Sequence, residues 1–181
     1  MAATIADAHL EVLEDWGAGA MPHPGGTLLA HLERTANLLA AWGASDDLVL
    51  AALFHATYGT DGFALSLKDL DERDVLRAQI GEAAEAIAWF YAACDREATY
   101  PTITPGEPCV FRDRFTGNDI TPSKAQLYDF VELTIANELD LVDHNPAFAD
   151  QHGAGFKALF GRWLPLASDG AKAYYQDVLG A

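Results

Sequence analysis

Cationic side chains are scarce in this chain: 11 Lys and Arg stand against 27 Asp and Glu, giving a formal net charge of −16 and a pI near 4.4. A nucleic-acid-binding surface needs clustered Lys and Arg to displace counterions, so this composition argues against nucleic acid as a partner. The same field repels anions at long range. A phosphorylated ligand would have to be met by a local cluster drawn from Arg34, Arg96, Arg112, Arg114 and Lys124. Cysteine is limited to Cys94 and Cys109, which lie in no metal-ligand spacing. That excludes a disulfide scaffold and a zinc ribbon, and Cys94 reads as a buried apolar residue. Long apolar runs are missing as well. None approaches the roughly 20 residues that cross a bilayer, and the N-terminus lacks the basic start and apolar segment of a signal peptide. The expectation is a soluble, cytoplasmic protein with no membrane partner.

Half of the 181 residues are apolar, enough for one well-buried core, so a single domain over 1–181 is expected. The apolar residues recur at helical spacing. The stretch from Thr27 to Phe63 is the most informative. Its first segment, Thr27 to Gly43, sets Leu28, Leu32, Leu39 and Trp42 in a row with His31 beside them. Its second, Asp47 to Thr60, places Leu48, Ala51, Ala52 and His55 on one face. Two adjacent helices would each turn a histidine inward.

Around this centre, Ile5 to Trp16 reads as an amphipathic helix, followed by a Gly- and Pro-rich loop carrying His23, with Gly25-Gly26-Thr27 as a tight turn and N-cap. A long helix is expected from Glu72 to about Arg96, with an inward stripe of Leu76, Ile80, Ala83, Ala84, Ile87, Tyr91 and Cys94. Glu82 and Glu85 fall opposite it, and Gly81 is its weak point. Residues 99–122 carry four prolines and a β-prone Cys-Val-Phe, so they read as a long loop or small hairpin, a length that suggests cover for a site. Arg112 and Arg114 would be its anion contacts, or else an ordinary solvated cluster. A further helix from Pro122/Ser123 to about Asp143 turns Leu127, Val131, Thr134, Leu141 and Val142 inward. Glu138 falls on that stripe with Asn137 beside it, and carboxylates are seldom buried without a partner. Helices near Gly155–Trp163 and Ala167–Leu179 complete an all-α layout.

These residues carry a resemblance. Leu28-Leu-Ala-His31 resembles the helix that supplies the first metal histidine of the HD superfamily of metal-dependent phosphohydrolases, most closely the hydrolase domain of the guanosine tetraphosphate enzymes. Leu50-Ala-Ala-Leu-Phe-His55 resembles its "A-A-x-L-H-D" segment, Ile80-Gly-Glu-Ala-Ala its "G-E-x-x-A" helix start, and Ile135-Ala-Asn-Glu-Leu-Asp140 its final "A-D-R-L" helix. The likeness spans roughly 26–143. Phe54-His-Ala-Thr-Tyr-Gly-Thr60 is also similar to a group of short HD-like proteins with "L-F-H-x-x-Y-G-T", from which no activity carries over. Two family positions depart: Ala56 stands where the family has the aspartate after the second histidine, and Asn137 stands where it has the final metal aspartate.

What the resemblance implies is an all-α, HD-like helical bundle with a divalent metal ion (Mn, Fe or Zn) on His31, His55 and an oxygen of Asn137 or Glu138. As an enzyme it would activate water against a small, possibly phosphorylated, molecule. Arg34 and Arg96 would steady developing charge, Glu138 would act as general base if not a ligand, and Tyr58 would orient substrate or donate a proton. Two alternatives stand beside it. One is a non-haem iron oxygenase of HD fold. The other is an inactive protein that binds a small molecule or a partner through His31 and His55 as hydrogen-bonding groups, a reading that the two departures favour.

Overall fold

The computed structural model describes residues 5–180, so residues 1–4 and 181 of the expected 1–181 unit lie outside the description. It is an all-α bundle of eight helices among the described residues. These are α1 (Asp7–Asp15), α2 (Leu28–Ala41), α3 (Asp46–Leu53), α4 (Arg73–Ala92), α5 (Arg96–Thr99), α6 (Lys124–His144), α7 (Pro146–Trp163) and α8 (Asp169–Leu179). Two antiparallel hairpins of two-residue strands interrupt the bundle: β1 (Pro22–His23) with β2 (Gly26–Thr27), and β3 (Phe111–Arg112) with β4 (Asp119–Ile120). No helix among the described residues is long and apolar enough to cross a membrane.

Local sequence sets where the helices start. Thr27 caps α2 by accepting from the Ala30 N–H at 3.3 Å, and Ser45 caps α3 by accepting from that of Leu48 at 3.2 Å. Ser123 and Gln126 close a reciprocal capping box at the start of α6, where polar side chains satisfy orphan N–H groups. The β1–β2 turn depends on Gly25, whose φ is +85° and whose place a side chain would fill against the His144 carbonyl 3.2 Å away. That turn seats His23 over α2.

Helix α6 is the axis of the fold. Every residue from Phe130 to Val142 is buried, and α2, α3, α4, α7 and α8 all pack on it. A helix buried all round has no polar face to give to solvent, so its polar residues must find partners inside.

Four details differ from the sequence expectation. The helix expected over Asp47–Thr60 stops at Leu53. Beyond it the chain turns through Thr57 N–H to Phe54 O and Gly59 N–H to Ala56 O, both 3.0 Å, with Gly59 at φ +69°, so His55 and Tyr58 sit on turns and Thr60 in a single antiparallel bridge with Phe63. In α4, Gly81 takes φ +84° and ψ 167°, which breaks the helical phase. The inward stripe beyond it is therefore Ala84, Glu85, Ala88, Tyr91 and Ala92, while Ala83 is exposed and Ile87 only half-buried. Glu85 consequently points inward and is 1 % exposed. Finally, residues 99–122 stay clear of the histidines and instead line a separate cavity of about 350 Å³ with Lys124, Leu127 and Tyr128. They hold to their own neighbours, with Arg112 paired to Asp119 across the hairpin and Arg114 Nε donating to the Ala92 carbonyl at 2.7 Å. Cys94 and Cys109 are both buried, and burial pushes the Cys94 thiol up to about 12, so it is chemically quiet.

The buried Glu85 carboxylate accepts from Tyr58 OH at 2.9 Å, Arg73 Nε at 2.7 Å, Arg73 Nη2 at 2.8 Å and Arg77 Nε at 3.2 Å. Burial would raise this carboxyl, but the two arginines and Tyr58 outweigh it and hold it below its ordinary value. Glu85→Ala strands those donors and should cost about 3 kcal/mol in urea unfolding, whereas the exposed Glu82→Ala should change stability by less than about 0.5 kcal/mol. Equal effects would contradict the assignment of Glu85 to the interior.

Candidate functional site

His31 lies on the inner face of α2 with none of its surface exposed, and α6 brings two side chains, one turn apart, to its two nitrogens. Nδ1 is 2.6 Å from Asp140 Oδ2, and Nε2 is 2.8 Å from Asn137 Oδ1. The Asn137 amide is fixed in turn, because its Nδ2 donates to Glu138 Oε1 at 3.0 Å. Reversed, its oxygen would confront a carboxylate. Its oxygen therefore faces His31, and only an N–H can meet it there. Asp140 likewise offers only acceptors. Burial would raise its carboxyl, but hydrogen bonds from His31 and Arg34 hold it below its ordinary value. Both His31 nitrogens thus lie within hydrogen-bond distance of side-chain oxygens.

The chain of contacts continues at both ends. Arg34 meets Asp140 through Nε to Oδ1 at 2.6 Å and Nη2 to Oδ2 at 2.8 Å, the paired geometry that suits guanidinium and carboxylate. Arg96 Nη1 donates to Glu138 Oε1 at 2.6 Å. A buried polar relay therefore runs Arg34, Asp140, His31, Asn137, Glu138, Arg96.

Two more imidazoles flank it. His55 packs edge-on to His31 with ring centres 5.4 Å apart, and its Nδ1 donates to the Ala52 carbonyl at 2.7 Å, which leaves Nε2 as an acceptor. His23 stacks on His31 at 4.3 Å, and its Nδ1 has no hydrogen-bond partner among the described residues. Burial, reinforced by the neighbouring His31, pushes His55 down to about 3 and His23 down to about 4. Both rings are neutral near pH 7. They open with Arg96, Asn137 and Glu138 onto a cavity of about 320 Å³, whose other wall is Phe63, Leu141, Phe148, His152 and Phe156.

Of the residues expected from sequence, His31, His55, Asn137, Glu138 and Arg96 are brought together. Arg34 and Tyr58 are not in the cavity. Arg34 lies on the far side of Asp140, in a separate groove with Asn37, His144 and Tyr174, because Asp140 stands between it and Asn137. Tyr58 is drawn away by Glu85, beneath Arg73 and Arg77. Sequence reasoning overlooked Asp140 as the partner of His31, although it lies three residues from Asn137 on the same helical face. It also passed over His152 and the Phe148, His152, Phe156 stripe of α7, whose four-residue spacing was the available signal.

The donor set does not make a metal centre as it stands. Both nitrogens of His31 are engaged by protein oxygens, and each nearby carboxylate is closed by a guanidinium. No three His, Cys, Asp or Glu side chains converge as metal ligands among the described residues. The expected trio of His31, His55 and Asn137 is adjacent in space without forming such a sphere.

Comparison with known proteins gives one match: a family model described as a domain of unknown function (DUF6817) is similar to residues 12–96. That stretch includes His23, His31, His55 and Arg96 and ends before α6, which supplies Asn137, Glu138 and Asp140. No curated protein and no solved structure matches the chain.

The neutral rings make stability depend on pH. In the unfolded chain both take a proton below their ordinary value of 6.5, whereas in the fold they resist until about 4 for His23 and about 3 for His55. Their contribution is complete above pH 6.5 and is lost as the pH falls toward those folded values. Calorimetric Tm should therefore drop between about pH 7 and about pH 5, less steeply in His23→Asn. A Tm constant over that interval would contradict neutral buried rings.

Proposed function

We propose that the chain is a small-molecule-binding protein of HD-like ancestry that uses the former catalytic cavity without a metal. One observation carries this reading: both nitrogens of His31 are spent on Asn137 and Asp140, while His55 keeps Nε2 as an acceptor at the cavity wall. The ligand meets His55 Nε2, Thr60 and the Arg96–Glu138 pair on one side and the aromatic stripe of α7 on the other. A mostly apolar pocket with a few fixed polar groups is the usual form of such sites. His55 favours recognition over proton transfer, since a ring held near 3 is a poor proton acceptor at neutral pH, where a general base works best with a value close to 7.

A second reading keeps the metal. What favours it is that Asp140 backs His31 Nδ1 and the Ala52 carbonyl backs His55 Nδ1, the support that metal-bound imidazoles receive. Mn, Fe or Zn would then rest on His31, His55 and Asn137 and supply an activated water for hydrolysis of a small, phosphorylated molecule, or with iron and dioxygen an oxygenase reaction.

Elemental analysis of untagged protein, with thermal shift in Mn²⁺, Fe²⁺ and Zn²⁺, separates the two. The metal-free reading expects substoichiometric metal and no gain in Tm. A stoichiometric divalent ion that is lost in His55→Ala would overturn it, and oxygen-dependent turnover with iron would select the oxygenase.

A further inference from the structure

Two further cavities lie along the start of α6, and neither is lined by a histidine. One, of about 390 Å³, is lined by Trp42, Leu48, Asp129 and Glu132, and the other, of about 350 Å³, by Pro108, Pro122, Lys124 and Leu127. Tyr128 and Leu166 line both, so the two form one groove. Tyr128 is 44 % exposed. Trp42 is held by α8: its indole lies so close to Gly170 that a side chain there would meet it at 2.6 Å, and it packs on Tyr174 with ring centres 5.9 Å apart. Among the residues lining the groove the carboxylates are Glu107, Asp129 and Glu132, and the cation is Lys124. Glu132 is engaged at the start of α8, where it accepts from the Ser168 N–H and, at 3.0 Å, from the Ser168 hydroxyl. Lys172, whose field reaches Glu132, is tied to Asp169 at 3.2 Å. Asp129 differs. It has no hydrogen-bond or ion-pair partner among the described residues, and burial together with the Asp47 carboxylate holds its carboxyl above its ordinary value.

A half-buried carboxylate that faces a second carboxylate and no cation is a cost that folding alone does not explain. We propose that the groove docks an extended, basic segment of a partner protein. A Lys or Arg side chain of that segment enters the cavity lined by Trp42, Tyr128 and Asp129, and an apolar side chain enters the one lined by Pro108, Pro122 and Leu127. The first cavity offers what a long cationic side chain needs: apolar surface at Leu48 and Leu166 for its stem, aromatic rings for its charge and an unpaired carboxylate for its N–H groups. In the second, Lys124 and Glu107 offset one another, so an apolar side chain is preferred. Side chains on one face of an extended chain recur at every second residue, which matches two cavities that share a single ring as their common wall. Charge complementarity selects the partner: at −16 the chain attracts a basic segment from a distance and repels a second copy of itself. The groove shares no lining residue with the histidine cavity, so failure of either reading leaves the other untouched.

NMR shift mapping on the full chain tests the docking, with acetylated hexapeptide amides that carry one Arg and one Leu at every spacing from adjacent-but-one to four apart, in either order. In the control set citrulline replaces Arg, which removes the charge and keeps the shape. At least one Arg peptide should move the Trp42 indole N–H and the Tyr128 and Asp129 amides. It should bind about fivefold or more tightly than its citrulline counterpart and weaken as salt rises. Asp129→Asn should lower Arg-peptide affinity about threefold or more while leaving citrulline binding and Tm unchanged, because Asp129 holds no partner in the fold. Tyr128→Ala, at an exposed position, should weaken both peptides. Equal binding of Arg and citrulline peptides, an affinity indifferent to Asp129→Asn, or no shift at the groove with peptides at up to about 5 mM overturns the proposal. Arginine amide alone binding as tightly as the best peptide also overturns it and makes the occupant a small organic cation. Concentration-dependent dimerisation that Tyr128→Ala abolishes overturns it in favour of a second copy of the chain.

Discussion

The contact between Asp140 and His31 decides most of what this molecule is. It joins α2 to α6, whose residues from Phe130 to Val142 are all buried, and it lies where no water can substitute for a lost partner. A carboxylate with no exposed surface needs several donors at once, and Asp140 draws on His31 and Arg34 to get them. Each recruitment has a consequence elsewhere. Arg34 is held away from the cavity, His31 is left with Nε2 to satisfy, and Asn137 answers it only because Glu138 and Arg96 hold the amide the right way round. Fold and site are thus one hydrogen-bonded object, and the chemistry open to the cavity follows from how that object is satisfied.

The helical layout was legible because burial writes itself into spacing. The caps at Thr27 and Ser123, the turn at Gly25 and the inward positions of His31 and Glu138 all follow from side-chain type and period. What spacing could not convey is phase. A single glycine at position 81 shifts the register of α4, and the shift carries Glu85 from the expected outer face into the interior. Nor can spacing convey pairing across distance. Asp140 and His31 are 109 residues apart, and nothing local in either segment names the other. Arg34 was assigned to the cavity from its one-turn offset from His31, yet offset along a helix fixes a face and not which neighbour fills the space before it. The 99–122 segment was read as cover because of its length. Its own threonines and arginines bind it to α4 and α5, so it lines a separate cavity beside the start of α6, while the aromatic residues of α7 wall the histidine cavity.

Asn137 has a physical sense in this network. Where an aspartate would bring a second negative charge beside His31, the amide brings an acceptor for one nitrogen and a donor for Glu138. The family-model match over residues 12–96 takes in His23, His31, His55 and Arg96 but not α6, so the matched stretch by itself lacks the oxygens that engage His31.

The all-round burial of α6 has one more consequence. The cavity wall is assembled from the β1–β2 turn, the turn after α3, the start of α5, and α6 and α7, so it exists only when segments far apart in sequence have met. Such long-range closure comes at considerable loop entropy and is slow to form. Occupancy of the cavity would thus act as a clasp on the completed chain, and whatever fills it lengthens the lifetime of the native state by mass action.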